Sequence, residues 1–135
     1  MTRVRVLLAD DHPDMLEIVT QLLGPSFDVV GTVGDGESVL IAASDLHPDV
    51  LILDISMPVL TGIEAAQKLH ERGNTARIVF LTVHDDPDFL RASLATGAFG
   101  YVTKPRVATD LLPAIHEAIA GRIFISPSLP SARLN

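Results

Sequence analysis

Five short apolar runs punctuate the chain: Val4 to Ala9, Phe27 to Val33, Val50 to Leu53, Arg77 to Leu81 and Phe99 to Thr103. Their length, and the Gly, Pro and Asp residues at their borders, predict strands. After each run, apolar residues recur at helical spacing. Met15, Leu16, Ile18, Val19, Leu22 and Leu23 fall three and four residues apart, with Asp11 or His12 as cap, Pro13 near the first helical position and Gly24-Pro25 as the stop. Gly36 to Ala43, Gly62 to Arg72, Asp88 to Thr96 and Thr109 to Ala120 read as helices in the same way. In the last of these Pro113 is expected close enough to the first turn to be tolerated.

Strands alternating with helices predict an α/β domain whose parallel sheet is covered on both faces. Right-handed crossovers leave few arrangements for five strands. The expected one is a flavodoxin-like, doubly wound (βα)5 fold with strand order 2-1-3-4-5. The third run is central, an apolar stretch bounded by His47-Pro48 and Met57-Pro58 that predicts a strand buried on both faces and ends in a single carboxylate, Asp54. Such a residue can be a plain turn former, but in open parallel sheets chemistry gathers at the carboxyl ends of strands. Composition shifts only after Gly121, where Ile123 to Ser131 brings two prolines and three serines and predicts an extended linker. The expected division is a domain over 3–121 and a tail over 122–135.

With 135 residues and 47% hydrophobic content, the chain suits one domain with a sizeable core. A net charge of −7, with only ten Lys and Arg scattered along the chain, argues against direct nucleic-acid binding. The absence of cysteine removes disulfides and thiol chemistry. Met1 to Arg5 opens a strand rather than a signal peptide, and no apolar run reaches bilayer length. A cytoplasmic protein without a membrane partner is the expectation.

Placed on the predicted sheet, Asp10 and Asp11, Asp54, Thr82, and Thr103-Lys104 come to one edge. Three carboxylates in one pocket repel one another unless a cation sits among them. Hard oxygen donors without Cys or paired His favour Mg²⁺, and Mg²⁺ suggests phosphate chemistry. An Asp carboxylate is a competent nucleophile toward phosphoryl groups. Mg²⁺ would sit on one oxygen of the transferred group, the Lys104 ammonium on another, and the Thr82 hydroxyl would donate a hydrogen bond to a third.

Asp10-Asp11, Asp54 within Asp-Ile-Ser-Met-Pro, Thr82, and Lys104-Pro105 with Tyr101 three residues earlier resemble the motif set of the receiver domain of two-component response regulators, of the LuxR/NarL type. The resemblance spans about Arg3 to Gly121. It implies Asp54 as phosphoacceptor, Asp11 as a direct Mg²⁺ ligand, Asp10 as a ligand through water, and the Ser56 carbonyl as a further ligand. Lys104 would contact the phosphoryl group and Thr82 would follow it inward, while Tyr101 would switch between exposed and buried rotamers. A cis Lys104-Pro105 bond, a sensor histidine kinase as donor and dimerisation on phosphorylation are also implied. The output face would be helix four, strand five and helix five, with Leu90, Arg91, Tyr101 and Leu112. The tail from Gly121 to Pro127 resembles the exit toward a LuxR-type DNA-binding module, which is absent from this sequence.

Val83 stands where the family usually has a small residue, and is expected to narrow access to the phosphoryl group. His84 and Ser56 fall where the family tunes hydrolysis, and the loop from His84 to Asp88 adds charge near the pocket. The five histidines show no paired ligand spacing and are expected to be surface or loop residues. Two rival classes fit less well. A phosphohydrolase of the haloacid-dehalogenase type needs Asp-x-Asp after its first strand and a cap domain. A flavin carrier needs a phosphate loop where Asp10-Asp11-His12-Pro13 would repel the phosphate.

Overall fold

The computed structural model describes residues 3–83 and 86–127. In chain order the elements are β1 (Arg5–Ala9), α1 (Pro13–Leu23), β2 (Asp28–Val33), α2 (Gly36–Leu46), β3 (Val50–Asp54), α3 (Gly62–Glu71), β4 (Arg77–Thr82), α4 (Pro87–Ala95), β5 (Gly100–Thr103), α5 (Val107–Ile119) and β6 (Phe124–Ile125), with a 3-10 turn over Lys104–Arg106. The sheet runs β2-β1-β3-β4-β5-β6 with every neighbouring pair parallel. The expected fold and strand order are therefore present. A short sixth strand is added from residues that the sequence suggests are a linker.

Alternation along the strands divides the core in two. Leu7, Leu51, Leu53, Phe80 and Tyr101 point to the face covered by α2, α3 and α4, whereas Val6, Leu8, Ile52, Val79 and Val102 meet α1 and α5. Strand β3 is buried at all five positions, as expected of a central strand, while edge strand β2 is only partly covered.

Helix starts follow local chemistry. Pro13 opens α1, Asp35 accepts from the Ser38 N–H at the start of α2, and Thr61 and Glu64 form a reciprocal capping box on α3. Asp86 accepts from the Asp88 N–H, so α4 begins at Pro87. Helix α5 starts at Val107, earlier than expected, which places Pro113 seventh rather than in the first turn. Pro113 and Thr109, whose carbonyl loses its helical donor, are both exposed, and water can take that donor's place. Among the described residues no peptide bond is cis, so Lys104-Pro105 is trans, against expectation. Pro105 lies instead in the opening of the 3-10 turn, where its fixed φ suits the backbone.

Because the helices run back along the strands, their C-termini collect at the amino edge of the sheet, where partial negative charge accumulates. Arg3 donates to the Gly24 carbonyl beyond α1, Arg5 to Leu46 of α2, and Arg77 to Ala118 and Ile119 of α5. The Arg77 guanidinium also lies 5.3 Å from the Phe99 ring centroid. Three of the chain's cations thus serve the end of the sheet opposite the predicted chemistry.

The start of α3 is pinned to the end of β3, since the Gly62 N–H donates to the Ile55 carbonyl at 2.7 Å. A Cβ on Gly62 would overlap the Asp54 carbonyl oxygen. In an ordinary helix Gly→Ala stabilises by about 1 kcal/mol. Here Gly62→Ala is expected to destabilise by roughly 2–3 kcal/mol through backbone displacement, read as a lower midpoint in urea unfolding at unchanged slope.

Candidate functional site

The carboxyl edge of the sheet brings together what the sequence separates. Asp10 follows β1, its N–H bonded to the Val33 carbonyl at 3.0 Å, and Asp54 is the last residue of β3. Both are buried. Thr82 closes β4 and pairs in register with Thr103, and Lys104 follows directly. The Lys104 Nζ stands 2.9 Å from Asp10 Oδ2 and 3.4 Å from Asp54 Oδ2. One ammonium is therefore shared by two buried carboxylates.

That sharing leaves both acids short of partners. Asp10 Oδ1 accepts from the His12 N–H at 2.9 Å, and Asp54 Oδ1 from the Ser56 N–H at 3.3 Å. The two Oδ2 atoms are inaccessible to solvent, and although Lys104 is close, neither receives a well-directed hydrogen bond. Burial first, then the charge of Asp10, pushes the Asp54 carboxyl up to about 6, against the weaker opposing pulls of Lys104 and the Ser56 N–H.

Asp11, on the solvent side, completes the acidic group. His12, expected as a surface or loop residue and a candidate cap, is exposed at the start of α1 yet also turns inward: its Nδ1 lies 3.0 Å from Asp10 Oδ1 and 3.1 Å from Asp11 Oδ1. One donor atom from each of Asp10, Asp11, His12 and Asp54 falls within 4.8 Å of the others. An octahedral Mg²⁺ spans about 4.2 Å between opposite ligands, so small side-chain movements would close this set around such an ion. Buried, underpartnered oxygens and an excess of carboxylates over ammonium fit a hard divalent cation. In the sequence His12 stands out only as a candidate cap of α1, and its one cue as a site residue is adjacency to the two acids.

Tyr101 is fully buried in the core beside β4 and α4, and Thr82 is equally inaccessible. Leu90, placed by the sequence on the output face, is also fully buried; Arg91 is exposed and Leu112 half-buried. Val83 is 67% exposed, which puts it on the rim. In the loop after β3 Val59 is 79% exposed and holds φ at +72°, with the Leu60 N–H turned back to the Pro58 carbonyl at 2.8 Å. A β-branched residue in that region carries strain of order 1–3 kcal/mol, which the sequence did not signal. His84 and Asp85, expected beside the pocket, lie outside the described residues, as does the tail beyond Pro127.

A cavity of about 800 Å³ lies at the other end of the sheet, lined in part by Arg3, Arg5, His47, Asp49, Arg72 and Arg77. Arg3, Arg5 and Arg77 are those that serve helix C-termini, and none of the acidic cluster reaches this space.

Residues 6–116 match the family described as the response regulator receiver domain. The nitrate/nitrite response regulator protein NarL of Escherichia coli K12 is 38% identical over 126 residues, which cover 92% of this chain and 58% of NarL. The chain thus spans little more than half the length of that relative. A LuxR-family two-component response regulator from Aurantimonas superposes with a TM-score of 0.90 at 30% identity, covering 100% of both chains. The isolated receiver domain of RcsB from Salmonella enterica serovar Typhimurium, solved with the phosphomimetic BeF3⁻, gives 0.88 at 30% identity and covers 98% of this chain and 99% of its own. The matched span contains Asp10, Asp11, Asp54, Thr82, Tyr101 and Lys104. The chain belongs to the receiver-domain family of two-component response regulators.

Proposed function

We propose that this receiver is a phosphorylation switch in which Asp54 accepts a phosphoryl group from the phosphohistidine of a sensor histidine kinase, or from a small phosphodonor. The observation that carries this reading is the buried Asp54 carboxylate at the end of β3, which shares the Lys104 ammonium with Asp10. Asp10, Asp11, Asp54 and the Ser56 carbonyl would hold Mg²⁺, which when bound supplies positive charge against the phosphoryl oxygens. An Asp54 oxygen forms the bond to phosphorus as the bond to the donor's imidazole nitrogen breaks, and the electron pair returns to that ring. Lys104 turns its ammonium from the two carboxylates toward the arriving oxygens, and Thr82 presents its hydroxyl to another. The RcsB receiver's structure with a phosphomimetic supports the same use of this fold.

The change is one of charge rather than turnover, since the acyl phosphate adds about −1.5 to −2 and three strong acceptors. Thr82 moving inward and Tyr101 in its buried rotamer would define the activated state. Homodimerisation, or control of an attached DNA-binding effector beyond the tail, is the proposed output. We assign residues 3–121 to the receiver unit and 122–135 to the connection, and place the protein in the cytoplasm with its kinase. Among the described residues no helix is long and apolar enough to cross a membrane.

Two measurements follow. Incubation with acetyl phosphate and Mg²⁺ is expected to add one phosphoryl group by intact mass, with none added without Mg²⁺ or in Asp54→Asn. An unmodified wild type beside a modified control receiver, or a modified Asp54→Asn, would refute the assignment.

The second is a pH series. The folded Asp54 carboxyl titrates near 6 and the unfolded one near 4, so between these values the folded state holds a proton that the unfolded state lacks. Stability therefore falls as pH rises through that window, and a penalty persists at neutral pH. Asp54→Asn is expected to stabilise the protein at pH 7.5 by about 1–2 kcal/mol and to lose that advantage near pH 4. Millimolar Mg²⁺ should raise the Tm of wild type at pH 7.5, with a much smaller shift in Asp54→Asn. An equal Mg²⁺ shift in both proteins would place the ion elsewhere.

A further inference from the structure

The chain after α5 does not leave the domain at once. It turns at Gly121 and lies against β5, with the Phe124 N–H donating to the Phe99 carbonyl and the Ser126 N–H to the Tyr101 carbonyl, each at 2.9 Å. Two backbone pairs make only a marginal strand. What fixes its end is a side chain. Ser126 Oγ accepts from the Thr103 N–H at 3.1 Å and donates to Asp110 Oδ2 at 2.8 Å. It thus takes the place of the strand carbonyl that the last amide of β5 would otherwise require.

Asp110 depends on the same contact. This carboxylate on α5 is buried, and a buried carboxylate is costly unless its oxygens are satisfied. Arg106 supplies Nε to Oδ2 at 2.7 Å and Nη2 to Oδ1 at 3.1 Å, and Ser126 supplies the remaining donor. Burial alone would raise the Asp110 carboxyl; the hydrogen bonds from Arg106 and Ser126 outweigh it and hold the group below the usual carboxylate range.

Both anchors of this network adjoin Lys104. Thr103 precedes it in the chain, and Lys104–Arg106 form the single 3-10 turn that delivers Arg106 to Asp110. A displacement of the Lys104 backbone has only one or two residues to cross before it reaches the Thr103–Ser126 and Arg106–Asp110 contacts. We propose that Ser126 and Asp110 form a latch that reports the position of Lys104 to the chain beyond Pro127. With Lys104 shared between Asp10 and Asp54 the latch is closed. When a phosphoryl group on Asp54 draws Lys104 off Asp10, the backbone of the 104–106 turn follows and Arg106 is drawn off Asp110. The Ser126 contact loosens and β6 detaches from β5. Phe124 and Ile125 are partly buried against the two halves of the core, so their release costs apolar contact as well as the two backbone pairs.

This coupling rests on the proposed phosphorylation of Asp54, and one experiment separates the two. Hydrogen–deuterium exchange of the 122–127 segment is measured with and without acetyl phosphate and Mg²⁺, with phosphoryl incorporation read by intact mass in the same samples. For wild type, incorporation is expected to speed exchange at residues 124–126 about tenfold, the scale of one hydrogen bond to a charged partner. In Ser126→Ala exchange should already be about tenfold faster without phosphodonor and should respond no further, while incorporation persists. Asp110→Asn, which keeps the shape but weakens the acceptor, should fall between the two. Incorporation with unchanged protection at 124–126, or a Ser126→Ala protein as protected as wild type, overturns the latch and leaves the switch chemistry intact. Failure of wild type to incorporate phosphoryl removes the switch reading and the coupling with it.

Discussion

The repulsion between Asp10 and Asp54 is the constraint around which the carboxyl edge of this domain is arranged. They end adjacent strands, both are buried, and they share one ammonium. An unpaired carboxylate in such a place would ordinarily take up a proton, and the Asp54 carboxyl has moved in that direction. Removing either acid would relieve the conflict, yet the surrounding sequence holds both in place. Gly62 lets the α3 backbone press against the Asp54 carbonyl, and the Asp10 amide is tied to β2. The pocket is thus preorganised for positive charge beyond what Lys104 can give.

The two ends of the sheet manage charge in opposite ways. At the amino edge, helix C-termini would accumulate negative potential, and Arg3, Arg5 and Arg77 satisfy their carbonyls directly. At the carboxyl edge the helix N-termini give a mildly positive field, and the acids are set into it. A net charge of −7 therefore does not describe a uniformly acidic surface. Three arginines are committed to helix C-termini at one end, and the two buried carboxylates of Asp10 and Asp54 are underpartnered at the other.

Most of the fold was legible because burial imposes periodicity. A β3 hidden on both faces must be apolar throughout, and the helices must show three- and four-residue spacing, so element order and strand order followed. The candidate site was legible for a related reason: a parallel sheet places strand ends together, and Asp10, Asp54, Thr82 and Lys104 all occupy strand ends. What escaped was set by local conformation or by tertiary pairing. His12 turns toward Asp10 and Asp11 through a side-chain rotamer that no spacing rule encodes. Val59 adopts a positive φ despite its branched side chain. Pro113 was misplaced because the start of α5 depends on the 3-10 turn before it, and β6 was missed because two residues carry no period.

That last omission bears on how such a domain can signal. A rigid sheet transmits little by bending, since interiors are close-packed and low in compressibility. Signals travel more readily where a marginal element is held by a few polar contacts, because losing one contact changes its population severalfold. The receiver has such an element at the outer edge of β5, directly beside the residue that balances the acidic pair. Core strands β1, β3 and β4 hold the acidic pair in place, whereas β6 is short, partly buried and tied at its end by one hydroxyl, the features the proposed latch requires. Stability in the centre and marginality at the edge are two requirements of the proposed switch, and burial is distributed across the sheet in that way.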